Sequence, residues 1–242
     1  MSDVTTTLAA RVAEQLRILA VAGITVGVIV VGLGSRLAML ALRLTSSDSV
    51  IGLQSDDDFT IGRFTLSGSY NLLVLGAGVG VIGVAAYQCV APRLIGPIWF
   101  RRLTVALAAG AVVGSMLIHG DGIDFRLLKP TWFAIGLFVL LPALFGAAIG
   151  PVVDRVSDPS SRTAKGRVRW ILPIVLVLAF PLALVELVVA ALLYTVWVLL
   201  ADGAGLRQLV AGRVAGYVVQ ACWLGIAVVG LVALVGDIRS LS

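Results

Sequence analysis

The sequence predicts an all-α integral membrane protein, a six-helix transmembrane bundle with a small extracytoplasmic β-hairpin between spans one and two. Three observations predict it. Of the 242 residues, 60% are hydrophobic and 13% charged, with a mean hydropathy of +1.07, whereas soluble domains lie nearer half apolar and a quarter charged. The apolar residues run in six long blocks, and crossing a hydrocarbon core takes about 20 of them. Most connections between blocks are short, which favours antiparallel neighbours in one bundle. The whole chain, residues 1–242, reads as one transmembrane domain.

Span one covers residues 17–42, interrupted by Ser35 and Arg36. The residues before it include Asp3, Arg11 and Glu14 and lack an apolar core. The expectation is therefore a retained anchor rather than a cleaved signal peptide. The insert at 44–69 contains "SVIGLQSDDDFTIGRFTLSGSY". Residues 60–66 are rich in β-branched and aromatic side chains, and residues 50–53 pair with them across Asp56-Asp57-Asp58 in the expected hairpin, with Gly62 suited to a bulge.

Span two is expected at 71–90 and span three at 103–118. After span three comes "HGDGIDF", in which His119, Asp121 and Asp124 match no strong metal motif and Gly120 and Gly122 read as a turn. Pro130 suits the first turn of span four, 131–153. Spans five (170–200) and six (206–235) are unusually long and are expected to tilt or project.

Orientation follows from Lys and Arg in the connections. With the N-terminus inside, eleven basic residues fall on the cytoplasmic side and seven opposite; "SSRTAKGRVRW" before span five is the strongest marker. The expected location is a bacterial inner membrane, multi-pass, with both termini cytoplasmic. The basic residues form no stripe with aromatic interleaving, so no nucleic acid partner is expected. Cys89 and Cys222 both fall inside spans and form neither a disulfide framework nor a zinc ligand set. No metal, cofactor or catalytic constellation is expected.

In "VLGAGVGVIG" of span two, Gly78, Gly80 and Gly83 match G-x-G-x-x-G. The dinucleotide reading fails on context: no strand precedes, no acidic residue follows about 20 positions on, and pyrophosphate would have to enter lipid. Small residues four apart instead allow helices to approach closely. Gly76 and Gly80 form such a pair, as do Gly23 and Gly27, Gly110 and Gly114, Gly146 and Gly150, and Gly212 and Gly216. Gly78 points away from the Gly76–Gly80 face.

Span five has no glycine but holds Pro173, Pro181 and Glu186. Proline frees a backbone carbonyl and kinks a helix, so Pro181 is a candidate hinge. An unpaired charge at the depth of Glu186 costs several kcal/mol. Folding spans five and six antiparallel would bring Gln220 to that depth, with Arg213 and Tyr217 on the same face of span six. Arg36 and Arg43 share one side of span one. Together Arg36, Arg43, Glu186, Arg213, Tyr217 and Gln220 are the candidate ligand-binding set of an outer polar pocket; the competing readings are a packing hydrogen bond for Glu186 and snorkelling for Arg36.

"GLGSRLAMLALRL", "DDDFTIGRFTLSGSYNLLVLG" and "DFRLLKPTWFAIGLFVLLPALFG" resemble multi-spanning membrane proteins of actinobacteria and related bacteria. The resemblance covers roughly residues 1–155. It implies an inner-membrane protein and carries over no established activity and no site residues.

Three functional classes remain open. One is a transport or ligand-binding bundle with the outer pocket, its ion or small-molecule ligand unspecified. The second is a structural or assembly subunit that binds a partner or a second copy through its glycine faces. The third is a lipid-modifying enzyme whose acid or base is Glu186. All three place the protein in contact with the lipid bilayer.

Overall fold

The computed structural model describes residues 2–46, 65–118, 130–203 and 213–241. Among them, six helices are long and apolar enough to cross a membrane. Their outward faces are apolar, with Leu178 76% exposed and Val232 68% exposed, as expected for a surface that meets lipid rather than water.

Helix α1 (residues 2–45) includes two π-helical stretches, Leu19–Gly23 and Gly27–Leu33. Helix α2 is Leu66–Val90, α3 Ile98–Leu117 and α4 Thr131–Ser157. Helix α5 is Val168–Ala179, α6 Leu182–Gly203 and α7 Arg213–Leu241.

The expected β-hairpin is corrected. Leu44 and Thr45 continue α1, and Thr65 and Leu66, expected in the second strand, start α2. The Thr65 hydroxyl oxygen accepts from the Gly68 amide at 3.2 Å. A β-branched residue with a hydroxyl is as good a helix cap as a strand former, and here capping wins. No strand occurs among the described residues, and the rest of the insert, 47–64, lies outside them.

Helix directions follow from which residues meet. A β-carbon on Gly23 would lie 2.7 Å from the Val81 Cα, and Gly27 packs on Gly76 and Gly80, so α2 runs antiparallel to α1. Gly110 faces Ala143 while Gly146 faces Ala106, so α3 and α4 are antiparallel. Helix α7 behaves differently. Gly216 lies near the Arg93 carbonyl, Gly230 packs on Val112, and Leu234 reaches Gly114. It therefore runs parallel to α3.

At one end of the bundle stand Glu14, Arg93 and Arg169. At the other, Leu42, Ile118, Ala134 and Leu234 close a small buried cluster. Ser2 and Leu241 consequently lie at opposite ends of the bundle.

The reason lies in the expected fifth span, which is two helices. Helix α5 rises from the Glu14 end, where Arg169 bonds Glu14, to the middle of α1. There Leu176 and Phe180 line a recess of about 200 Å³ with Ile24, Thr25, Val28 and Ile29. Helix α6 starts with Leu182 beside Gly78 in the middle of α2. Its later turns bring Thr195 beside Leu8, Ala9, Val12, Ala13 and Leu16, back at the Glu14 end, before the helix finishes at Gly203. Twelve residues of α5 give roughly 18 Å of helix at about 1.5 Å per residue, short of a core about 30 Å thick. Helices α5 and α6 therefore meet halfway along the bundle at Phe180 and Pro181, as the two arms of a helical hairpin.

Candidate functional site

The tip of the hairpin is built by one residue pair. Phe180 leaves the helical region at φ −131°, ψ 74°, and Pro181 has no amide to offer the Val177 carbonyl. Short turns restart the chain: Ala183 donates to the Phe180 carbonyl at 3.1 Å and Leu184 to that of Pro181 at 3.0 Å. From α2 the Tyr70 hydroxyl donates to the Ala179 carbonyl at 2.9 Å. Ala179, Pro181 and Leu182 at the break are exposed, and the Tyr70 hydroxyl meets one of the carbonyls there.

Glu186 is one turn into α6. Its Oε1 lies 2.9 Å, and its Cδ 3.4 Å, from where a β-carbon on Gly78 would stand. The carboxyl therefore occupies the space that Gly78 leaves open. Ala77, Val81, Ala183 and Leu187 around it are all buried. Among the described residues, its Oε2 is buried without a hydrogen-bond partner and no salt bridge reaches it.

The expected six-residue pocket is not assembled. Helix α6 packs on α2 and α1, whereas α7 packs on α3, so spans five and six are not the antiparallel pair that the short connection implies. The Gln220 Oε1 accepts from the Ile95 amide at 3.2 Å at the Glu14 end. Tyr217 on the same helix is 63% exposed. Arg213 begins α7 at that end. Arg36 and the exposed Arg43 lie on the last stretch of α1, toward the Leu42 end. Of the set, Glu186 stands at mid-height of the bundle, against Gly78 of α2. His119, Asp121 and Asp124 lie outside the described residues, as does Gly212. Among the described residues, no three His, Cys, Asp or Glu side chains converge as a metal site.

The glycine pairs meet helices of the same chain. A β-carbon on Gly27 would collide with the Gly76 carbonyl, and one on Gly80 with the Gly23 carbonyl. On Gly114 it would come 3.2 Å from Val139, and on Gly150 2.8 Å from the Tyr87 hydroxyl oxygen. A β-carbon on Gly83 would come 2.5 Å from the Phe145 ring. Gly78 looks away from α1, toward α6.

A polar layer unforeseen in the sequence lies at the Glu14 end. Arg17, 2% exposed, donates through Nη2 to Glu14 Oε1 at 2.6 Å and to the Val156 carbonyl at 2.9 Å. Its Nη1 donates to the Thr163 carbonyl at 3.1 Å. Arg169 Nη2 donates to Glu14 Oε2 at 2.9 Å. One arginine and one glutamate thereby tie together α1, the end of α4, the following segment and the start of α5. Nearby, Gln15 bonds Gln88, and Arg102 bonds Asp154 at 2.7 Å. The signal available in sequence was the Glu14–Arg17 spacing of three, which places both on one helix face.

Compared with family models, with curated proteins and with solved structures, the chain matches none.

Proposed function

We propose that this protein is a membrane transport or ligand-binding bundle in which the α5–α6 hairpin is the working element and the Glu186 carboxyl binds a proton or a small monovalent cation. The observation that carries the reading is the buried Glu186 Oε2, without a hydrogen-bond partner among the described residues, at the depth where α5 breaks. A lone carboxyl away from water costs several kcal/mol unless a proton or counter-charge joins it. Broken helices at mid-bundle expose backbone carbonyls that help to hold small cations. The outer arginine pocket of the sequence reading is not part of this proposal.

The scaffold reading loses its motive, because Gly23, Gly27, Gly76, Gly80, Gly110, Gly114, Gly146 and Gly150 are covered by helices of the same chain.

The proposed orientation in a bacterial inner membrane places the Glu14 end in the cytoplasm and Leu241 outside. Of the described Lys and Arg residues, Arg11, Arg17, Arg93, Arg101, Arg102, Arg155, Arg162, Lys165, Arg167, Arg169 and Arg213 stand at the Glu14 end, against Arg36, Arg43 and Arg239 at the other. That asymmetry follows the positive-inside rule.

The test is full-length protein in sealed vesicles, reading proton entry with an internal pH dye and uptake of radioactive sodium. Wild type should carry one of the two ions above protein-free vesicles, and Glu186→Gln should abolish it while the protein stays folded. No flux of either ion from wild type, or flux unchanged in Glu186→Gln, overturns the reading.

A further inference from the structure

The segment between α4 and α5 carries Arg155, Arg162, Lys165, Arg167 and Arg169 within fifteen positions. Such a run is often a floppy solvated loop, but this one is built. Asp158 holds the Ser160 amide at 2.7 Å and its hydroxyl at 2.8 Å. Ser161 donates to the Asp158 carbonyl at 3.0 Å and Ala164 to that of Ser161 at 3.1 Å. Residues Arg162–Ala164 make a turn of 3₁₀ helix, and Gly166, at φ +58°, turns the chain into α5. From below, the buried Arg17 grips the Val156 and Thr163 carbonyls. The backbone is pinned by one arginine while the others face outward.

Arg155, Arg162, Lys165 and Arg167 are exposed, and none of their side chains donates a hydrogen bond to protein among the described residues. The two acids nearby are engaged: Asp154 with Arg102 and Asp158 with Ser160. Asp158 also attracts Arg155 and Lys165, but one carboxylate against Arg155, Arg162, Lys165 and Arg167 leaves the segment net positive.

What borders this charge selects the partner. Immediately after Arg167 come Val168, Trp170 and Ile171, 48%, 47% and 54% exposed. The Arg169 guanidinium carbon lies 5.0 Å over the Trp170 ring. Tryptophan and arginine together at the end of an apolar helix mark the headgroup level of a bilayer. A surface with cations on one side and exposed aliphatic and indole groups on the other matches a molecule with phosphate at one end and hydrocarbon at the other.

We propose that residues 155–171 form a docking platform for anionic phospholipid, with Arg162, Lys165 and Arg167 around the phosphate and Val168, Trp170 and Ile171 along the acyl chains. Helix α5 begins on this platform, so bound lipid would also hold the entry of the α5–α6 hairpin. The inference is independent of the role of Glu186.

The test uses full-length protein reconstituted in vesicles mixing phosphatidylglycerol with phosphatidylcholine, extracted in mild detergent, with retained lipid identified by mass spectrometry. Wild type should retain phosphatidylglycerol in preference to phosphatidylcholine, with the preference falling as salt is raised. The triple variant Arg162→Gln, Lys165→Gln, Arg167→Gln should lose preference by about fivefold per charge removed. The charge-keeping variant Arg162→Lys, Arg167→Lys should retain it, which separates loss of attraction from loss of fold. Equal retention of both lipids by wild type, or unchanged preference in the glutamine variant, overturns the proposal. So does displacement of the retained lipid by inorganic phosphate at matched ionic strength, which would make the site one for free anions.

Discussion

The Glu186 carboxyl and Gly78 form one fitted pair: the carboxyl oxygen lies 2.9 Å from where a side chain on Gly78 would begin. The missing side chain on α2 is the space in which the acid of α6 sits. Alanine at position 78 presses on the flexible end of Glu186 and meets the Leu182 side chain at an ordinary 3.6 Å. Gly78→Ala should therefore change stability by about 1 kcal/mol or less, since alanine also favours the helix. It should still lower ion flux by moving the carboxyl. Parallel melting and vesicle assays check both halves, and unchanged flux would detach Gly78 from the site.

Glycines against backbone should behave differently. A β-carbon at Gly27 meets the Gly76 carbonyl, and one at Gly80 meets the Gly23 carbonyl. Neither neighbour can swing aside. Gly27→Ala and Gly80→Ala should each cost about 2–3 kcal/mol, the upper part of the overpacking range. Gly136→Ala and Gly225→Ala, where nothing lies within 4 Å, are the controls and should be neutral or stabilising by up to about 1 kcal/mol, since alanine favours the helix. Thermal unfolding in detergent would show the contrast.

Arg17 is the keystone of the Glu14 end. Arg17→Ala strips Glu14 of its nearest cation and leaves the Val156 and Thr163 carbonyls without their donor. Breaking a buried, hydrogen-bonded ion pair costs about 3–5 kcal/mol. Glu14 is about a third exposed and keeps Arg169, so the lower end is expected. Arg17→Lys retains charge without the fork and should fall between. Denaturation midpoints of the three proteins test the order.

The Asp158 carboxyl is held below its ordinary range, chiefly by the Ser160 amide and then by the Ser160 hydroxyl. A carboxyl whose folded value is depressed stabilises its turn above its unfolded pKa, and that contribution is lost as pH falls through the folded one. Protection of the Ser160 amide from hydrogen exchange should accordingly fade on acidification below the usual aspartate range. In Asp158→Asn the protection should be pH-independent there.

Most of the helical architecture was legible because hydropathy and length report how much of a helix lipid can cover. The path of the chain was less so, because hydropathy carries no direction. Residues 170–200 are apolar but for Glu186 and Thr195, and a rod and a hairpin are equally apolar. The excess length was a clue, and so was Pro181. Proline alone does not decide it: Pro142 and Pro151 sit inside unbroken α4 and Pro173 inside α5. The break occurs where Phe180 leaves the helical region and Tyr70 takes up the Ala179 carbonyl, a contact between distant residues. Once the hairpin turned back, α7 had to start at the Glu14 end, and Gln220 was carried away from Glu186. The polar layer was hidden for a related reason: in sequence, Arg17 and Arg169 count only as charges near span ends, while their partners come from several helices. Thr65, read as strand, shows the limit of local propensity, since the same residue type serves as a cap.

The account rests on the α5–α6 hairpin returning to the side it enters from. Side-specific labelling of single cysteines tests this most directly, with Cys89 and Cys222, both exposed, replaced by serine. Lys165→Cys reports the entry of α5, Asp202→Cys the exit of α6, and Ser240→Cys the end of α7. In sealed vesicles of one orientation, an impermeant thiol reagent should modify positions 165 and 202 from one side and position 240 only from the other. Modification of 202 from the side that reaches 240, and not from the side that reaches 165, would mean that the segment crosses the membrane, contradicting the hairpin.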